Sequence, residues 1–278
     1  MSCFRSILRP IIRRVSLAAS REATSAHNKI CLYHALAGAL LCTMAGPAGA
    51  TTLVAVWTPT AAVIGADSLV HTLDGEKRWS KCKIRRAAPV VWSATGITGN
   101  PDFNFSLDRL VGEAMSGQGS LDAKIKAFET ALFAPLSEVV HVTRIENPSW
   151  YYRYAEGLAV TRLIFTANED GVNRFWMREF VVQSARIGDE IDISVKRTDC
   201  PGPTCRDFRV FLLGNYDYAS RIANEVGFWE RNGFADGVRR SIEAEIASNP
   251  DHVGPPITIA EVTKDGVRWV ENGECGEK

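Results

Sequence analysis

Histidine is scarce in this 278-residue chain: there are five, and two of them (His27 and His34) fall in the first fifty residues. The remaining His71, His141 and His252 are scattered and read as ordinary surface or structural residues. With no G-x-S-x-G segment beside them, a Ser/His/Asp hydrolase lacks its parts. H-E-x-x-H, the phosphate-binding P-loop and the dinucleotide glycine fingerprint are also missing, so neither a metal nor another cofactor is expected. Nor is there a basic stripe. Residues 1–50 hold six Lys/Arg and one acid, which leaves 26 basic against 31 acidic side chains in residues 51–278, a net charge of −5. A mildly acidic body is a poor fit to a nucleic-acid partner. Repeats, low-complexity tracts and linkers are missing after residue 50, and this argues for one domain.

What is present begins with a targeting pattern. A basic stretch runs to Lys29, Ile30–Ala45 is almost wholly apolar or small, and Pro47-Ala48-Gly49-Ala50 follows. The last four residues form an A-x-A site of the kind signal peptidase cuts. The apolar run of 16 residues falls short of the roughly 20 that span a bilayer. The expectation is an export leader over 1–50 and a mature domain over 51–278, periplasmic or secreted, with no membrane attachment after cleavage. The alternative is an uncleaved anchor. Arg13-Arg14 hints at twin-arginine export, but the residues after it fit that signal poorly.

Cys82, Cys200, Cys205 and Cys275 remain beyond the leader. In an oxidising compartment four cysteines permit two disulfides in three connectivities. Cys200-Pro-Gly-Pro-Thr-Cys205 closes a short loop and is the favoured bridge. The rival reading, a zinc clasp, lacks a second Cys or His pair nearby.

The mature region alternates strand-like and helix-like segments. Thr51–Trp57 and Ala61–Ala66 read as a hairpin with Asp67-Ser68 at its exit. A loop through Asp74-Gly75 leads to strands near Lys83–Arg85 and over Pro89–Ala94. Leu107, Leu110, Val111 and Ala114, then Leu121, Ile125, Phe128 and Leu132, recur at helical spacing, with Ser120 as cap of the second helix. Strands return within 161–195 and at Arg209–Leu213. Two further helices are expected over Tyr218–Val226 and around Val238, Ile242 and Ile246. A hairpin of Ile257–Val262 and Val267–Val270 closes the chain. The fold class is therefore α+β, antiparallel sheets with paired helices outside them. The aromatic cluster Trp150-Tyr151-Tyr152 with Tyr154 suits the core or a subunit contact, or else lines a binding surface.

The candidate chemistry starts at Thr51. Cleavage after Ala50 would give it a free α-amine, which titrates near 7.7–8.0 when unperturbed. Such an amine can take the proton from its own residue's Oγ1, making one residue both nucleophile and base. The site then needs a cation to favour the deprotonated forms and an acid to hold that cation. Asp67 lies 16 residues on and Lys83 lies 32 on, and the hairpin returns Asp67 beside the start of the first strand. Taken singly, Thr51 is a strand start, Asp67 a turn residue and Lys83 a solvated lysine. As a set they resemble a known pattern.

Thr51-Thr52-Leu-Val-Ala-Val, Val63-Ile-Gly-Ala-Asp-Ser68 and Lys83-Ile-Arg-Arg86 resemble the start of a proteasome β subunit or its bacterial HslV-type relative. Ser93-Ala-Thr-Gly96 is similar to the family's oxyanion turn, one residue early. Gly254-Pro-Pro-Ile-Thr-Ile-Ala-Glu-Val-Thr-Lys-Asp-Gly266 is similar to its final hairpin. The resemblance implies the N-terminal-nucleophile fold, a four-layer αββα sandwich, and threonine-dependent hydrolysis of a peptide or small amide. It also implies a homo-oligomeric ring. In its terms Thr51 is nucleophile and base, Lys83 lowers the proton affinity around it, Asp67 orients Lys83, and the Gly96 N–H stabilises the oxyanion. Two positions depart from the family: Asn215 stands where a serine is usual, and Asp251, with Val253, stands near the aspartate and serine that precede the last strands.

Lys81 and Arg85 flank Lys83 with strand alternation, and on one side of a cleft they would favour acidic substrates. The rival to the hydrolase is a non-catalytic exported binding or scaffolding protein that kept the fold, with Asn215 and Val253 as its support.

Overall fold

Thr52–Trp57 (β1) is buried at every position, and Ala61–Ala66 (β2) at all but its first. Strands of that kind are covered on both faces. The computed structural model describes residues 51–71, 78–183 and 190–273. The leader and A-x-A site within 1–50, the Asp74-Gly75 loop and Cys275 lie outside those residues.

The further strands are Leu69–His71 (β3), Arg78–Ser80 (β4), Ile84–Ala87 (β5), Val90–Gly96 (β6), Gly99–Asn100 (β7) and Phe105–Ser106 (β8). After the first helices come Ala159–Glu169 (β9), Val172–Val182 (β10), Ile193–Cys200 (β11) and Arg209–Gly214 (β12), and the last two are Thr258–Thr263 (β13) and Gly266–Glu271 (β14). The helices are Leu107–Ser116 (α1), Leu121–Glu146 (α2), Pro148–Tyr154 (α3), Asp217–Ala223 (α4), Phe228–Asn232 (α5) and Phe234–Ser248 (α6). Two five-stranded sheets carry the architecture, in the orders β12-β1-β2-β13-β14 and β11-β10-β9-β6-β5. Neighbours in both are antiparallel. The expected α+β class with antiparallel sheets is therefore observed.

Three apolar clusters follow from the alternation of side chains along these strands. Leu53, Ala55, Trp57 and Ile64 of the first sheet share one with Ile84, Val91, Ile164 and Phe175 of the second. Val54, Val56 and Val63 turn the other way, onto Val238 and Ile242 of α6. Trp92, Leu163, Phe165 and Trp176 join Leu110 of α1 and Ile125, Phe128 and Leu132 of α2. Each such side chain, fully buried, contributes about 1.5–3 kcal/mol. Gly65 sets how closely α6 approaches: a Cβ there would lie 2.2 Å from Val238 Cγ1.

Some features go beyond the sequence reading. Helix α2 continues for 26 residues and passes through Pro135, where the periodicity suggested a shorter element. The small β3–β4 and β7–β8 ribbons, α3 and α5 were not anticipated. Within the aromatic cluster Tyr151 is buried among the α2-side core and Tyr152 is exposed. Cys200 and Cys205 are joined in a disulfide with a Cα–Cα distance of 5.3 Å, and both are buried in the cluster between the sheets.

Candidate active site

The β1–β2 hairpin builds the centre of the site. Its register pairs Leu53 with Ala66, so the residue following β2 arrives beside the residue preceding Leu53. Asp67 N–H donates to the Thr52 carbonyl at 3.2 Å, and Thr52 N–H donates to Asp67 Oδ1 at 2.8 Å. Lys83 Nζ reaches the same Oδ1, also at 2.8 Å. Asp67 Oδ2 accepts from Leu69 N–H at 3.0 Å and from Gly254 N–H at 3.3 Å. A carboxylate with no exposed surface thus has four donors, one of them a cation. Ser93 Oγ donates to the Lys83 carbonyl at 2.9 Å, which ties the lysine's backbone to β6.

Burial and pairing pull against each other here. Burial pushes the Asp67 carboxyl above its ordinary value, opposed by the Lys83 charge and by the hydrogen bonds from Lys83, Thr52 and Gly254. Burial likewise lowers the Lys83 ammonium, and the Asp67 charge opposes that shift. The 2.8 Å contact and the full set of donors favour the ionised pair. Each partner is the other's main compensation for leaving water.

Thr51 is 8% exposed and precedes β1. Its carbonyl accepts from Asn215 N–H at 2.7 Å, just past the end of β12. Gly214 makes this contact possible. Its φ is +78°, and a Cβ there would fall 1.8 Å from the Thr51 carbonyl oxygen. Glycine meets both demands, the left-handed backbone and the close approach.

The other sequence candidates are distributed around this centre. Gly96 ends β6 with a φ of +88° and pairs with Thr161 of β9. Lys81 is exposed, and its N–H donates to the Ser68 carbonyl at 2.8 Å. Partial desolvation by its neighbours, and after it the Arg85 charge, lowers the Lys81 ammonium although the residue is exposed overall. Arg85 itself is ion-paired with Asp108 of α1 and lies over the Trp92 ring, 5.5 Å from its centroid. Asp251 is exposed in the turn after α6, and Val253 is buried. The contact from this loop to Asp67 is made by the Gly254 N–H.

The sequence reading missed Thr52, Gly214 and Gly254 as parts of the site. For Gly214 a signal existed, a glycine directly after the apolar run Val210–Leu213. Gly254 contributes through its backbone N–H and Thr52 through its N–H and carbonyl as well as its hydroxyl, and for the backbone groups sequence carries no direct signal. Among the described residues no cluster of three or more His, Cys, Asp or Glu is placed to hold a metal ion.

No protein-family model matches the chain, and no curated protein matches it. Among solved structures it is similar to the Anbu (Gly-1) mutant from Hyphomicrobium sp. strain MC1, at 17% sequence identity and a TM-score of 0.43. That match covers 82% of this chain and 89% of the other.

Proposed function

We propose that this chain is an exported N-terminal threonine hydrolase that cleaves a peptide or small amide, exposed for action by removal of residues 1–50. The observation that carries the reading is the buried Asp67 carboxylate, shared at 2.8 Å between Lys83 Nζ and the N–H of the residue next to Thr51. A buried ion pair costs desolvation energy that a well-packed apolar pair would avoid. Its placement one residue from a threonine that signal peptidase would expose gives that cost a purpose. On this reading the two sheets and their outer helices form the αββα sandwich of the resembled family. The active protein is a homo-oligomeric ring in the periplasm or medium.

The reaction follows from the groups present. Thr51 Oγ1 attacks the amide carbonyl carbon as its proton passes to the Thr51 α-amine. The Lys83 cation favours the deprotonated amine, and Asp67 holds Lys83. The oxyanion is met by the Gly96 N–H, a contribution of about 3–4 kcal/mol in comparable sites. The C–N bond breaks, the leaving amine takes the proton, and water then attacks the Thr51 ester to release the acid. Asn215 and Asp251 are assigned supporting positions, and Lys81 with Arg85 a preference for acidic substrates.

The test is hydrolysis of fluorogenic peptides with acidic, basic and apolar residues before the scissile bond. Activity abolished in Thr51→Ala, and lowered about 10²–10³-fold in Lys83→Ala, supports the hydrolase. Activity unchanged in Thr51→Ala removes it. The buried Val253, where the family carries a serine, favours the second reading of a non-catalytic binding protein. Ligand capture without turnover would support that reading.

A further inference from the structure

We infer that Thr52 is a positioning residue for the nucleophile; the inference rests on the hydrolase reading for its purpose but not for its geometry. The peptide unit between Thr51 and Thr52 is planar and is gripped at both ends. Its carbonyl accepts from Asn215 N–H at 2.7 Å, and its N–H donates to Asp67 Oδ1 at 2.8 Å. With that plane fixed, the Cα of Thr51 is fixed too. Its amine and side chain then turn about a single bond, Cα–C.

The Thr52 side chain completes the grip. It has no exposed surface, and its Oγ1 donates to the Asn215 carbonyl at 2.6 Å. Asn215 is therefore held on both sides by consecutive residues: its N–H by the Thr51 carbonyl, its carbonyl by the Thr52 hydroxyl. These are two different peptide planes of Asn215, so neither bond substitutes for the other. Take away the hydroxyl and Asn215 is held to this segment by the N–H contact alone, at a point where Gly214 makes the backbone permissive.

The same residue thus links three parts of the site. Its N–H touches the carboxylate that holds Lys83, its carbonyl accepts from Asp67 N–H at 3.2 Å, and its hydroxyl fixes the residue that anchors Thr51. Thr161 and Thr166 of β9 are also buried and donate their hydroxyls to backbone carbonyls, but the acceptor of Thr52 lies 163 positions away in sequence, in the loop that anchors Thr51. Valine would keep the β-branched shape at position 52 and lose the donor. Serine would keep the donor and lose the methyl.

The test compares wild type, Thr52→Val and Thr52→Ser, each expressed as the full chain and recovered after export. Amide hydrogen exchange is read at Asn215 and, as a control, at Phe165 in β9. The rate of Thr51 modification by an electrophilic threonine-directed probe is read in parallel. The clamp predicts that Thr52→Val exchanges Asn215 about tenfold faster at unchanged Phe165 protection. Thr51 modification slows by about tenfold as well, and Thr52→Ser restores both.

Should wild type take no probe while Asn215 protection still falls in Thr52→Val, the clamp stands and the hydrolase reading fails. Unchanged Asn215 protection in Thr52→Val overturns the clamp whatever the probe does. Should that variant not fold, the wild-type hydroxyl proton decides. A slowly exchanging Thr52 hydroxyl resonance with a cross-peak to Asn215 supports the clamp, and a rapidly exchanging one overturns it.

Discussion

Asp67 and Lys83 form an ion pair at 2.8 Å in which the carboxylate side chain is 0% exposed and the lysine side chain 9%. Removing one partner leaves an uncompensated buried charge, which costs about 3–5 kcal/mol. Asp67→Asn and Lys83→Met are each expected to lose that much in denaturant unfolding. The double variant recovers most of it, because no charge is left behind. A double variant no better than the singles would contradict this account of the pair.

The pair also sets a pH dependence. Burial holds Asp67 above 3.8 and Lys83 below 10.5. A raised carboxyl contributes stability that is fully present below 3.8 and lost as pH rises through the folded value. A lowered ammonium contributes stability present above 10.5 and lost as pH falls through its folded value. Both contributions are therefore absent in the interval where the two groups are ionised together. The stability of the Asp67→Asn/Lys83→Met variant relative to wild type should be highest in that interval and fall towards acid and towards alkali. Unfolding titrations across pH check the sign.

Gly214→Ala puts a methyl group 1.8 Å from the Thr51 carbonyl oxygen, on a backbone at φ +78°. The strain and the lost Asn215 contact are expected to cost about 2–4 kcal/mol. Modification of Thr51 by an electrophile should fall with it. A variant of wild-type stability and reactivity would show that β12 does not anchor Thr51.

Glu245 of α6 is buried and accepts from Tyr218 N–H at 2.8 Å and Ala219 N–H at 3.1 Å, in the first turn of α4. It also accepts from Asn249 Nδ2. This carboxylate holds the start of the helix that follows Asn215. Glu245→Ala should destabilise by about 2–3 kcal/mol, since the buried Ala219 N–H and the part-buried Tyr218 N–H lose their acceptor. Thermal unfolding measures it.

The Cys200–Cys205 bridge closes a loop of five positions' separation between β11 and β12. Chain entropy assigns such a loop about 2 kcal/mol. Replacing both cysteines with serine should lower the unfolding free energy by about that amount while leaving the fold intact.

Part of the candidate site was legible because Thr51 and Asp67 flank one hairpin. The apolar runs Thr51–Trp57 and Ala61–Ala66 announced two strands, and a tight turn between them returns Asp67 to Thr52 by register alone. Lys83 was readable as the cation because of its spacing within the resembled pattern. What sequence could not supply were the contacts that cross the fold: Asn215 lies in the loop after β12 and Gly254 in the loop before β13. Both act through backbone groups, Gly254 by its N–H and Asn215 by its N–H and carbonyl, and these carry no signal in the residue type. Alternation from Lys81 to Arg85 assumed one continuous strand, but β5 begins at Ile84, so the pleat does not extend back to Lys83 and Lys81. Arg85 follows its own strand towards Asp108 and Trp92. Helix α2 outran its periodic signal because its packing against the second sheet continues past Pro135, through Leu136, Val139 and Val140.

The central claim is that Thr51 becomes the first residue and reacts. Intact mass and N-terminal sequencing of the protein recovered after export from a bacterial host, before and after treatment with an electrophilic threonine-directed inhibitor, address it in one experiment. The account predicts a chain that starts at Thr51 and gains one inhibitor on that residue, with no gain in Thr51→Ala. A retained leader, a start at any other residue, or a Thr51 terminus that takes no inhibitor would contradict it.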